Sequence, residues 1–274
     1  MLISREIWRR ALRLSDALSG INTAGRSTLF RIVAALALLH ALSPTLAGPP
    51  LSIDDPGILD PLQLEAIVAT TLVSTDAGDY YQVPVLDISL GFIQDYAQVS
   101  LVYPFVYSAS NDGGSASDFG NLELGVKWRF LNSARLQLAF APYYAFGVTG
   151  STAEKGIGDD TDVVFFPVNA EYQVNEKWRL NGEVRYASVD GGDNNWGYGA
   201  AMAYVRDERW ELLFELSGAT GTDFDNGSLE ARVGFDAGVT ESFHILFSMG
   251  TGLREPSGED KLDYDVFLGF QFIR

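Results

Sequence analysis

Asn121-Leu122-Glu123-Leu124-Gly125-Val126-Lys127-Trp128-Arg129-Phe130, residues 121–130, is the stretch whose reading decides the fold. Leu122, Leu124, Val126, Trp128 and Phe130 share one parity, and Glu123, Lys127 and Arg129 share the other. A period of two with one apolar and one charged face is a strand between two unlike media. Working outward, the same alternation recurs in segments of similar length. It predicts strands over 62–75, 80–92, 98–109, 121–130, 135–147, 162–174, 178–189, 196–205, 210–218, 228–239, 243–253 and 262–273. Twelve alternating strands with an apolar face predict a closed antiparallel transmembrane β-barrel, an all-β fold.

The connections support closure. Short ones fall near 93–97, 131–134, 175–177, 206–209 and 240–242. Longer ones, rich in Gly and Asp, fall near 76–79, 110–118, 148–161, 190–195, 220–227 and 254–261. Short periplasmic turns alternating with long outer loops are what a membrane barrel needs, whereas a soluble sandwich has no reason to alternate them. Aromatic residues gather at the strand ends. Phe92, Trp128, Phe130, Tyr172, Trp178, Tyr204, Trp210 and Phe243 flank the short turns, and Tyr107, Phe146, Tyr186, Trp196 and Tyr264 lie near the long loops. Two interfacial girdles follow if the apolar face meets lipid. Pro84, Pro104, Pro142 and Pro167 fall inside strands, where proline removes a ladder donor, so bulges or bent ladder are expected near the outer rim.

The chain carries a formal charge of −17 and no cysteine. An acidic chain is repelled by phosphate, which argues against a nucleic-acid partner. The lack of cysteine excludes disulfides, thiolate metal sites and a cysteine nucleophile. Residues 1–47 differ from the rest. Six arginines (Arg5, Arg9, Arg10, Arg13, Arg26 and Arg31) precede a short apolar run over 32–42, and Thr45 and Ala47 form a small-x-small site. That order reads as a signal peptide, with an N-terminal extension before Arg26. Beyond Ala47 the chain holds 13 basic and 34 acidic residues, a formal charge of −21.

Residues 48–61 read GPPLSIDDPGILDP. Four prolines and two glycines forbid regular structure, so the segment is expected in the periplasm or inside the lumen. Asp54-Asp55-Pro56-Gly57, Leu59-Asp60-Pro61, Gln63 and Glu65 resemble the opening of the outer-membrane family described as the MetA-pathway of phenol degradation. The family pattern, DDPGTLGPGQWE, differs here at Ile58, Asp60, Leu62 and Leu64. The resemblance implies a barrel over 62–274 that serves as an outer-membrane channel for small hydrophobic or aromatic compounds.

The inward parity predicts a lumen lined by Glu123, Lys127, Arg129, Arg135, Glu171, Arg179, Glu183, Arg185, Glu211, Glu215, Glu230 and Arg232. Such a set can fill the lumen with ion pairs or leave a polar path, because twelve strands lie between filled and water-holding barrels. Arg129, Arg135, Arg179 and Arg185 lie toward the short turns, where a cationic ring would favour anions. Acidic outer loops oppose anion entry; Asp223-Phe224-Asp225-Asn226-Gly227 is their densest cluster, but it lacks the calcium loop's length and closing Glu. The reading assigns no cofactor and no metal. A hydrolase would need an activated nucleophile, and only His244 lies beyond residue 47, beside a short turn with Ser248 four residues on. The sequence therefore predicts a non-enzymatic passive channel of the bacterial outer membrane, with a structural or adhesive barrel as the alternative. Expected partners are outer-membrane lipid and lipopolysaccharide, the barrel-assembly machinery and a small-molecule solute.

Overall fold

The structure, a computed structural model, describes residues 49–110, 114–155, 157–256 and 261–274. The signal-peptide reading of 1–47 lies outside these residues. The wall is built from β1 (Leu64–Thr75), β2 (Gly78–Ile93), β3 (Ala97–Ser110), β4 (Ser115–Phe119), β5 (Glu123–Asn132), β6 (Leu136–Phe140), β7 (Tyr143–Ala145), β8 (Val163–Asn175), β9 (Trp178–Val189), β10 (Asn195–Asp207), β11 (Trp210–Gly221), β12 (Leu229–Thr240), β13 (Phe243–Arg254) and β14 (Leu262–Ile273). One turn of helix, α1 (Ser151–Glu154), interrupts the connection to β8.

β4 and β5 pair end to end with β3, and β6 and β7 pair end to end with β8. Each couple is one stave, so the fourteen strands make twelve staves. Every neighbour is antiparallel, and β1 pairs with β14 from Glu65↔Ile273 to Thr75↔Leu262, which closes the barrel. Closure removes both sheet edges, so each stave has a ladder on both sides. Staves spaced by about 4.8 Å and tilted by about 40° close at a backbone radius of about 12 Å.

The breaks fall at the prolines. The register of β2 shifts against both neighbours around Pro84, between Gln82 and Val85 on the β3 side. The fourth stave parts over 120–122 opposite Pro104, whose carbonyl accepts the Gly120 N–H at 2.9 Å. The fifth parts at Ala141-Pro142: the Pro142 carbonyl still accepts the Val126 N–H at 3.0 Å, but proline returns no donor. Pro167 keeps its register with Arg185 on β9, and its carbonyl takes the Ala141 N–H at 3.1 Å. The interruptions thus fall in β2 and in the fourth and fifth staves, whereas β3 and β8 run on through Pro104 and Pro167, so the bend expected around Pro167 does not occur. One loop expectation is corrected: the connection near 76–79 is a two-residue turn, because Thr75 pairs directly with Gly78. Gly78 adopts φ 152°, which a side chain would resist.

The outer rim beside β8 is fastened by side chains. The Tyr144 hydroxyl and the Gly147 N–H donate to Asp162 at 2.5 and 2.8 Å. These two donors, the tyrosine first, hold the Asp162 carboxyl below the usual carboxylate range. Lys155 beside α1 and Thr152 within it reach Asp118 at 3.0 and 2.8 Å.

The two faces of the wall invert the soluble rule. Val126, Trp128, Leu216 and Val233 point outward and are 44–52% exposed, while Asn169, Glu215 and Arg129 point inward and are 0–3% exposed. Water would not tolerate an apolar band around the whole circumference, but lipid requires one. The expected girdle residues sit at the strand ends with outward exposure, and several touch in pairs, among them Trp178–Tyr204 at 4.7 Å and Tyr186–Trp196 at 4.9 Å. Leu216→Arg on this face is expected to destabilise the barrel by about 2–4 kcal/mol in a bilayer, the cost of arginine near the midplane. Chemical unfolding in vesicles, followed by tryptophan fluorescence, measures it. A loss below about 0.5 kcal/mol, as on a water-facing surface, would contradict a lipid-facing band.

Candidate functional site

Residues 49–61 lie inside the barrel, which resolves the alternative left open by their composition. They follow the inner wall and meet the staves in nearly reverse order. The Pro50 carbonyl accepts the Ser248 hydroxyl of β13 at 2.6 Å. Glu215 of β11 accepts the backbone N–H groups of Ser52 and Ile53 at 3.0 and 3.1 Å, and the Ser52 hydroxyl contacts both Glu215 and Arg232. Ile53 packs over Gly199 of β10, where a Cβ would strike it. The Asp54 N–H donates to Glu183 at 3.0 Å, its carbonyl accepts Asn169 at 3.0 Å, and its carboxylate pairs with Lys127 at 2.7 Å. The Leu59 N–H donates to Gln98 at 2.9 Å, and the Leu62 N–H reaches the Gly91 carbonyl at 2.9 Å as β1 begins. Gly91 is forced to be glycine, since a Cβ would overlap the carbonyls of Leu59 and Asp60.

Pro-rich chain suits this course. It has fewer backbone donors to satisfy, and its fixed φ angles lower the entropy lost on docking. Ile53, Ile58, Leu59, Asp55 and Pro56 are buried, so the segment brings apolar side chains into a polar lumen.

The wall beneath it is a network of paired charges. Arg232 bonds Glu215 at 2.8 Å, Asp265 at 2.9 Å and Glu230 at 3.3 Å. Arg179 meets Glu211 at 2.5 Å and Glu171 at 3.6 Å. Arg185 meets Glu183 at 3.3 Å, and Arg129 meets Asp95 at 3.3 Å and Gln137 at 2.8 Å. Several of these pairs skip a stave. Arg232 on β12 reaches Asp265 on β14 because Gly250 lies between them in register. Arg179 on β9 reaches Glu211 on β11 over β10, whose inward residues Gly199, Ala201 and Ala203 are small. Small residues on one stave make room for long charged chains from its two neighbours.

Eleven of the twelve expected lumen residues line the inside. Arg135 does not: it is exposed in the turn before β6, because the ladder with β5 ends at Asn132↔Gln137 and the strand begins one residue later than its alternation suggests. The expected cationic ring is also corrected, since Lys127, Arg129, Arg179, Arg185 and Arg232 each have a carboxylate partner. Glu65, Asp87, Asp236 and Asp265 complete an inner surface on which carboxylates outnumber cations. Alternation already places Asp236 inward, and Glu65, Asp87 and Asp265 are likewise opposite in parity to outward neighbours such as Leu86 and Val266, so the alternation could have found them too. Among the described residues, Asp87 and Glu123 make no hydrogen bond or ion pair. His244 donates or accepts through Nδ1 with Asp236 at 2.7 Å, while Ser248 is engaged by Pro50, so the two residues weighed for hydrolysis are committed to separate partners. No group of three or more acidic or histidine ligands suited to a metal occurs among the described residues.

Outward of the segment the lumen opens into a cavity of ≈ 430 Å³ at the long-loop end, walled by Tyr80, Gln82, Glu123, Val163 and Phe165 and roofed by Gly158-Asp159.

No family model matches the chain, and none of the curated proteins matches it. Solved structures do. An outer-membrane channel from Pseudomonas putida F1 superposes with a TM-score of 0.66 at 17% identity, over 82% of this chain and 100% of that one. The NanC porin follows with a TM-score of 0.54 at 11% identity, over 76% and 98%. The KdgM porin, solved with disordered oligogalacturonate, gives 0.53 at 10% identity, over 76% and 98%. At these identities the likeness is one of fold: this chain has the closed barrel of outer-membrane channel proteins.

Proposed function

We propose that the chain is a passive, cation-preferring channel of the bacterial outer membrane whose conductance is limited by residues 49–61. The observation that carries this reading is the inner surface itself. It is polar, acidic in balance, and lined by cations that are all engaged by carboxylates. A pore with such walls attracts cations and repels anions. The fold shared with the Pseudomonas channel and the NanC and KdgM porins supports the class. The opening motif around Asp54–Gly57 supports the finer reading, a solute that is small and partly apolar, in line with the phenol-degradation resemblance. Lipid meets the apolar outer band, lipopolysaccharide and its divalent ions meet the acidic loops, and the assembly machinery recognises the closing strand with its outward Phe270 and Phe272.

Planar-bilayer recording under a potassium chloride gradient tests it. A reversal potential on the cation side, with potassium favoured over chloride at least about threefold, is expected from fixed wall charge of one sign. An anion preference would refute the electrostatic argument. The buried bonds of residues 49–61 favour a second reading, a structural barrel held shut, and silent bilayers from correctly folded protein would select it.

A further inference from the structure

The cavity above the N-terminal segment is furnished differently from the rest of the lumen. Along β5, Glu123 lies four residues outward of Lys127, about 13 Å at the rise of a strand, so the cavity stands clear of the segment. Two of its walls are the aromatic side chains of Tyr80 and Phe165, and Val163 adds an aliphatic patch. The carboxylate of Glu123 faces it without a hydrogen bond or ion pair; among the described carboxylates of the inner wall only Asp87, which does not line the cavity, shares that state. A second carboxylate, Asp159, stands at the roof, also without a hydrogen-bond partner among the described residues. Asn121 contributes no free group: its amide donates to Phe146 and Asp159 at 2.8 Å and accepts the Asp159 N–H at 2.9 Å, which pins the roof in place. The positive charge that acts on Glu123 is that of Arg185, which lies 5.6 Å over Phe165, but Glu183 pairs with that guanidinium at 3.3 Å and it does not line the cavity.

A carboxylate left unbonded beside aromatic walls is a costly arrangement unless something brings the missing charge. We infer that this vestibule binds small organic monocations that carry a flat apolar body, the ammonium group on Glu123 and the body against Tyr80 and Phe165. The inference rests on the channel reading, of which it names the solute class. Cation–π attraction and a charge-assisted hydrogen bond act together here, and ≈ 430 Å³ suits one molecule of some ten heavy atoms with its remaining water.

The full chain, refolded in detergent and checked by its heat-dependent gel shift, is titrated calorimetrically with phenethylammonium, 2-phenylethanol and phenylacetate. The cation is expected to bind at least about tenfold more tightly than the neutral alcohol, and the anion more weakly still, the ratio an ionic hydrogen bond supplies. Glu123→Gln is expected to remove that preference and leave the alcohol unchanged, while Asp225→Asn in an outer loop alters neither. Equal affinity for cation and alcohol, or a preference that survives Glu123→Gln, overturns the inference. If Glu123→Gln does not fold, salt dependence in the unsubstituted chain decides: cation binding that ignores ionic strength overturns it equally. Conducting bilayers without this preference remove the vestibule site and leave the channel. Silent bilayers with the preference intact remove the channel and leave the site.

Discussion

Deleting residues 49–58 is expected to raise single-channel conductance at least about threefold while the barrel still folds. The size of the effect follows from geometry. A backbone radius of about 12 Å leaves a free lumen of only a few ångströms once inward side chains are subtracted, and a chain running along the wall takes much of that cross-section. The expectation of a folded product follows from the ladders. Every stave pairs with two others, and none of these pairings passes through residues 49–58. The deletion stops before Leu59 so that the bonds of Leu59 to Gln98 and of Leu62 to Gly91 still anchor the start of β1. It also removes Asp54 and Asp55 and leaves Lys127 without a carboxylate partner. The wider pore should therefore prefer potassium less than the intact one. Unchanged conductance from a folded deletion would mean that the segment does not limit flow. Higher conductance with stronger cation preference would mean that Lys127 does not face the path.

The wall was legible because its signal is local. Leu124, Val126 and Trp128 declare an outward face within five residues, and lipid imposes the same rule on every stave. Prolines 84, 104 and 142 likewise announced breaks in or opposite their own staves, since the missing N–H is a property of the residue itself, but Pro167 left its ladder with β9 intact. What the sequence left open depends on distant partners. Asp54 finds Lys127 73 positions away, and Pro50 finds Ser248 198 away, so composition alone could say only that residues 48–61 were not a strand. The cationic ring failed for the same reason. Parity put Arg179 and Arg232 inside correctly, but two of their partners, Glu211 and Asp265, lie two staves off, across small residues whose importance a single strand does not show. Arg135 failed because it lies in the turn just past the last ladder pair, Asn132↔Gln137, and alternation does not mark where a strand ends.

Arg232→Met tests whether the same paired charges hold the wall and the segment. Methionine keeps most of the side-chain volume but leaves Glu215, Asp265 and Glu230 facing one another without their common cation. Removing one member of a buried ionic cluster typically costs about 3–5 kcal/mol, because the remaining charges stay desolvated. The unfolding midpoint in urea-containing vesicles should fall accordingly, and a loss below about 1 kcal/mol would show that lumen water already screens the cluster. Arg232 and Glu215 also hold Ser52, so the substitution should loosen the segment and raise conductance. The two effects separate in the 49–58 deletion. There Arg232→Met should still cost stability but should no longer raise conductance, since the segment it releases is gone. If conductance rises by the same factor in both backgrounds, Arg232 narrows the pore directly, and the wall network, rather than the segment resting on it, limits the flow.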